Sequence, residues 1–190
     1  MTDLLYVALV VFLAANAPAA ARVWKRTIRV SIGIDRFAWT LGVCAVTVIA
    51  GVLFAMFAES IIDLFGVSLP TFKIAAGVLL LLGVIPVFVP ATPRDPNPPD
   101  RAIWPALRLL LWLASPSVLF AIVALSADLG STHAASGTVV GVAGAAIMLL
   151  IALRFESHPV ERVFVWLSWL LAAVLVVIAA ELIRQGVQTV

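Results

Sequence analysis

Ala15-Asn16-Ala17-Pro18 and Ala114-Ser115-Pro116-Ser117 decide how this chain is read, because each interrupts a stretch otherwise apolar enough to cross a membrane. A proline inside a helix removes a backbone hydrogen bond and leaves a carbonyl free. A neighbouring Asn or Ser can satisfy that carbonyl or leave it available to a ligand. The first break falls in the first apolar run and the second in the fourth. Breaks at corresponding places in two halves of a chain are the pattern of small transporters built from inverted repeats.

Working outward from the breaks, apolar runs fall at about 3–21, 38–58, 71–89, 103–126, 135–153 and 162–183. Each approaches the ~20 residues that a helix needs to cross the hydrocarbon core. A spanning strand would need only ~9–11 residues, with alternation. The composition agrees: 64% hydrophobic and 12% charged, with a mean hydropathy of +1.18, unlike a water-soluble domain. The expected fold is all-α, one transmembrane domain over 1–190 with six spans. Residues 1–89 form a first three-helix repeat, 90–102 a proline-rich linker and 103–190 a second repeat. Three helices per half is an odd number, so the second copy runs through the membrane the opposite way. Matching openings support the division. Pro70-Thr71-Phe72-Lys73 starts the third run and Pro159-Val160-Glu161-Arg162 the sixth, and proline suits the first turn of a helix.

Charge sets the expected orientation. Arg22, Lys25, Arg26, Arg29 and Arg36 lie in the first connection, Arg94 and Arg101 in the third, and Arg154 and Arg162 in the fifth. The second and fourth hold Glu59, Asp63 and Asp128, with Lys73 the cation nearby. Basic loops stay on the cytoplasmic side, so both termini are expected outside. Trp24, Trp39, Trp104 and Trp166 fall at the inner boundary on this reading, where an indole can bury its ring and keep its N–H wet. The stretch from Leu4 to Ala15 imitates a secretory signal, but Met1-Thr2-Asp3 carries an acid where a signal has cations. An uncleaved first helix is expected. The prolines from Pro90 to Pro99 make the linker a semi-rigid cytoplasmic strap.

The breaks supply the candidate site. Asn16, Pro18, Ser115, Pro116 and Ser117 are expected to surround a solute pocket between the first and fourth helices. Each also has a plainer use: interhelical hydrogen bonding for Asn16, bonds to carbonyls one turn back for Ser115 and Ser117. Arg108, a turn inside the fourth run, either snorkels to the headgroups or binds an anion. Glu181 is either a coupling carboxylate or one end of an i,i+3 pair with Arg184. Gly137, Gly141 and Ala145, at spacing four, make a smooth stripe for a dimer partner or for a helix of the same chain.

Other chemistry is thin. Cys44 is the single cysteine, and His133 and His158 lie in different loops, so neither a disulfide within the chain nor a shared metal site is expected. No nucleophile elbow, zinc motif or phosphate loop appears, which points away from an enzyme, a cofactor or nucleic acid.

The stretch from Asp63 to Gly83, Asp-Leu-Phe-Gly-Val-Ser-Leu-Pro-Thr-Phe-Lys-Ile-Ala-Ala-Gly-Val-Leu-Leu-Leu-Leu-Gly, resembles the signature of the MarC-type family of small bacterial membrane proteins, in the lysine-exporter-like superfamily. Lys73 stands for the family's Arg and Ala76 for its first Gly. Asn16-Ala17-Pro18 falls where the family has Asn-Pro, and Ala114-Ser115-Pro116-Ser117 where it has Ala-Gly-Pro-Gly. The end of the chain, from Glu161 to Gly186, resembles the family's last helix, with Glu181 near a family Gln. The resemblance implies export of a small solute across the bacterial inner membrane. Here an Ala separates Asn16 from Pro18, and serines replace the glycines beside Pro116. Those departures motivate a second reading, an accessory subunit docked on a larger membrane complex. Membrane lipids are expected partners on both readings, together with either a solute and a homo-oligomer or a companion complex.

Overall fold

In the computed structural model, residues 1–28, 36–88, 103–154 and 158–189 are described. The proline-rich linker and much of the first basic connection therefore lie outside the described residues. All regular structure within them is helical: α1 (Thr2–Ala15), α2 (Ala17–Ile28), α3 (Arg36–Met56), α4 (Ala58–Phe65), α5 (Leu69–Phe88), α6 (Ile103–Leu113), α7 (Pro116–Leu129), α8 (Ser131–Arg154) and α9 (His158–Gln188). Six stretches are long and apolar enough to cross a membrane: Thr2–Arg22, Phe37–Met56, Leu69–Val87, Leu107–Leu129, Ser131–Arg154 and Val160–Gln188. The first comprises α1 and the start of α2, and the fourth comprises most of α6 and all of α7. The fold is that of a multi-pass membrane protein.

Packing between apolar helices in lipid gains little from excluding water, so contact depends on how closely backbones approach. Small residues mark the close seams. A Cβ added at Gly141 of α8 would stand 2.7 Å from the carbonyl oxygen of Ala8, and one at Gly137 would meet Val7. The smooth stripe of α8 is therefore filled by α1 of the same chain. Because Gly137 faces Val7 and Gly141 faces Val11, the two helices run parallel. The seam of α5 with α9 is equally tight and antiparallel. Gly77 lies against Ala179 and Ile183, and Gly186 against Pro70 and Ile74. Small buried residues, Ala76, Ala172 and Ala179, continue it.

Polar side chains, some buried and some exposed, stitch the helices together. Ser126 Oγ donates to the Ala55 carbonyl at 2.6 Å, tying α7 to α3. Lys73 Nζ meets Asp128 Oδ1 at 2.6 Å, tying α5 to the end of α7. Trp24 departs from expectation. Its ring is 2% exposed and its Nε1–H donates to Thr40 Oγ1 at 2.9 Å. An indole N–H removed from water needs a partner, and Thr40 of α3 provides it inside the bundle. Trp166 and Trp39 are exposed on the outside of the bundle.

The chain differs from expectation in a second place. The connection after α3 contains a further helix, α4, whose Ala58 and Ile62 are buried in one cluster with Phe72, Ala76, Val123 and Ala124.

Candidate functional site

The first junction is built around Asn16. Its backbone is left-handed, φ 39° and ψ 59°, and it is the sole non-glycine residue with positive φ among those described. An L-residue resists this conformation, and Asn resists it less than most because its short amide can bond locally. The Asn16 N–H donates to the Leu13 carbonyl at 3.0 Å and closes α1. Its own carbonyl accepts the N–H groups of Ala19 and Ala20, at 2.9 and 3.0 Å, and opens α2. The side-chain Oδ1 also accepts from the Ala19 N–H at 3.3 Å, as an N-cap does. One residue thus ends one helix and begins the next. Pro18 follows at the second position of α2, where its missing N–H costs nothing.

The rest of the Asn16 amide reaches across the bundle. Nδ2 donates to the Ser168 carbonyl of α9 at 3.5 Å, and Oδ1 accepts the Ser168 hydroxyl at 3.1 Å. Arg22 Nη2 donates to the same Ser168 Oγ at 3.3 Å. Asn16 is 4% exposed and Ser168 fully buried. Sequence reading missed Ser168. The available signal was a hydroxyl set in the apolar run Phe164-Val-Trp-Leu-Ser-Trp-Leu170, because a membrane helix places a hydroxyl where it finds a partner.

The second junction lies between α6 and α7. The Ala114 N–H donates to the Leu110 carbonyl at 2.8 Å, the last bond of α6. Ser115 is extended, φ −63° and ψ 153°, and Pro116 opens α7 directly after it. The residue before a proline is pushed out of helical geometry, which suits this position. The hydroxyls of Ser115 and Ser117 lie 2.9 Å apart and bond each other. Ser117 is buried against α5, where a Cβ at Gly83 would come within 2.9 Å of its Oγ.

The two interrupted spans are neighbours. α1 packs beside α7, and α2 beside α6. The part before one junction thus lies next to the part after the other, so the junctions face each other at similar depth in antiparallel spans. No hydrogen bond among the described residues joins Asn16 to Ser115 or Ser117. Asn16 is hydrogen-bonded instead to α9, and Ser117 packs against Gly83 of α5.

The two charged candidates lie elsewhere. Arg108 is exposed on α6. Glu181 accepts Arg184 Nε at 2.8 Å, Arg184 Nη2 at 2.6 Å and Gln185 Nε2 at 3.0 Å, all from its own helix near the end of the chain. Its carboxylate is engaged far from both junctions in sequence. Among the described residues, no three His, Cys, Asp or Glu side chains gather as metal ligands would. The interior groups on hand are an amide, hydroxyls and one guanidinium. They can donate and accept hydrogen bonds to a polar solute.

The chain matches no protein-family model, no characterised protein and no solved structure.

Proposed function

We propose that this chain is a transporter-like membrane protein of two inverted three-span halves, which moves a small solute past the facing junctions at Asn16–Pro18 and Ser115–Ser117. The observation that carries the reading is the pattern of packing. Exchanging spans 1 with 4, 2 with 5 and 3 with 6 leaves that pattern almost unchanged. Span 1 (α1, α2) packs on span 5 (α8), and its counterpart, span 4 (α6, α7), packs on span 2 (α3). Span 3 (α5) packs on span 4, and span 6 (α9) packs on span 1. The pairs 1–4, 2–5 and 3–6 map onto themselves, and all three are in contact. The departure is α7 with α8, a seam with no equally close counterpart, where Gly130 alone joins the two helices.

Two halves related this way have two equivalent arrangements, which is what alternating access requires. The helix breaks then fall on the seam between the halves, and Pro18 and Pro116 act there as the breakers. Such a seam offers Asn16, Ser168, Ser115 and Ser117 to a polar, uncharged portion of a solute. The MarC-type resemblance, with its implied export across a bacterial inner membrane and both termini outside, fits this reading. One observation favours the accessory-subunit alternative. Both polar atoms of the Asn16 amide already have partners within the bundle, Nδ2 in the Ser168 carbonyl and Oδ1 in Ala19 and the Ser168 hydroxyl.

The test is solute efflux from proteoliposomes, using a panel of small polar solutes. Asn16→Gly keeps the left-handed backbone and removes the amide, so transport through the junction predicts lost flux in a chain that still folds. Flux undiminished in Asn16→Gly combined with Ser115→Leu would sink the proposed path. The absence of flux for every solute, together with a stoichiometric companion protein in gently extracted membranes, would establish the subunit reading instead.

A further inference from the structure

α4 remains once the six spans are assigned. Its place along the membrane normal follows from the chain. α3 ends at Met56 and α5 begins at Leu69, so α4 is tied at both ends to the same end of two spans. The 21 residues of α3 rise about 31 Å, close to the ~30 Å hydrocarbon thickness, which brings the chain to the membrane boundary at Phe57. There the backbone leaves helical geometry, with ψ 18° at Phe57, and α4 sets off afresh. It ends at Gly66, whose φ of 63° turns the chain toward α5.

Around its axis α4 has three different sides. Ala58 and Ile62 face the protein, and the Phe65 ring lies 6.3 Å from that of Phe72 and 6.0 Å from that of Phe120. Glu59 and Asp63, four residues apart, form an exposed acidic edge. Phe57 and Leu64, seven residues apart and so on one stripe, form an exposed apolar edge. Leu64 is 84% exposed and Phe57 56%. At 100° per residue the acidic and apolar edges are roughly 130° apart, with the protein-facing side outside the gap between them. The apolar edge continues onto α3, where Ile49, Leu53 and Met56 are exposed along the surface that faces lipid in a membrane span.

No uniform surroundings suit such a helix. Water leaves Leu64 and Phe57 unburied, and hydrocarbon leaves two carboxylates without solvent. A boundary suits both edges at once. We propose that α4 is an interfacial anchor lying along the membrane surface, with Glu59 and Asp63 in water and Phe57 and Leu64 among the acyl chains of the adjacent leaflet. It fixes the depth at which α3 and α5 sit and holds the Lys73–Asp128 pair near the surface.

The experiment is nitroxide depth measurement on the full chain in phosphatidylcholine liposomes. Cys44→Ala removes the native thiol, and Asp63→Cys and Leu64→Cys are labelled separately. Both positions are exposed, so the label displaces no packed atom, and circular dichroism checks the fold. Relaxation by oxygen should exceed relaxation by a nickel chelate several-fold at position 64, with the order reversed at 63. A position-64 label as open to the chelate as that at 63 would place the helix in water. Oxygen dominance at both would submerge it, and a position-64 label shielded from both reagents would mean that protein covers this edge. Each of those three results overturns the proposal.

Discussion

Replacing Asn16 by Ala and by Gly should rank the two variants in the order opposite to that of an ordinary helix. In an uninterrupted membrane helix, Ala is preferred to Gly by about 1 kcal/mol. At Asn16 the backbone has φ 39°, so a Cβ without the compensating amide costs roughly 1–2 kcal/mol that Gly does not incur. The lost N-cap bond to Ala19 adds about 1 kcal/mol for Ala and only a few tenths for Gly. Both variants lose the bonds to Ser168, so that loss cancels in the comparison. Asn16→Ala should therefore be less stable than Asn16→Gly by roughly 2 kcal/mol. For a chain of this size that is about 4–8 °C in midpoint. Cys44 supplies the assay, being the single cysteine and buried, so a thiol-reactive fluorogenic dye reports unfolding as the detergent-solubilised protein is heated. An Ala variant that melts at or above the Gly variant would refute the junction as described. It would also weaken the proposed path, because a continuous first helix has no break to place against the fourth.

The helix seams make a second prediction. Gly141→Leu and Gly186→Leu should each lower the same midpoint sharply, because a Cβ there would stand 2.7 Å from the Ala8 carbonyl oxygen and 2.6 Å from that of Pro70, and a backbone oxygen cannot swing aside. Gly42→Leu should leave the midpoint unchanged, since a Cβ at that position meets nothing within 4 Å. Glu181→Gln should alter neither the melting midpoint nor the pH profile of any flux, because its partners are neighbours on its own exposed helix turn. A flattened pH profile in that variant would restore Glu181 as a coupling carboxylate.

Reading along the chain goes furthest where the interaction is local. The spacing of three between Glu181 and Arg184 predicts their pair, and the structure shows it as a bidentate contact, because helix geometry alone brings i and i+3 together. The spacing of Gly137, Gly141 and Ala145 marks a close seam for the same reason. It does not say that α1 fills it. α4 escapes notice because its eight residues mix two acids with aliphatic side chains and one Phe, and lack the length that identifies a span. Position in the sequence suggests a wet N–H for Trp24, whereas the bundle closes over that group through Thr40.

The candidate site divides along the same line. That Asn16 and Pro116 stand at helix junctions is legible from residue type, since Asn tolerates a left-handed backbone and proline removes a donor. That Asn16 spends its amide on Ser168, 152 residues away, is not legible, because nothing local selects one hydroxyl over another. The six apolar stretches follow from sequence alone: membrane thickness imposes a length, and the loss of water imposes helical hydrogen bonding within each segment. Which helix meets which follows from matching small residues and polar groups across segments distant in the chain. Lipid gives every apolar face nearly the same welcome, so only the folded arrangement decides the partner.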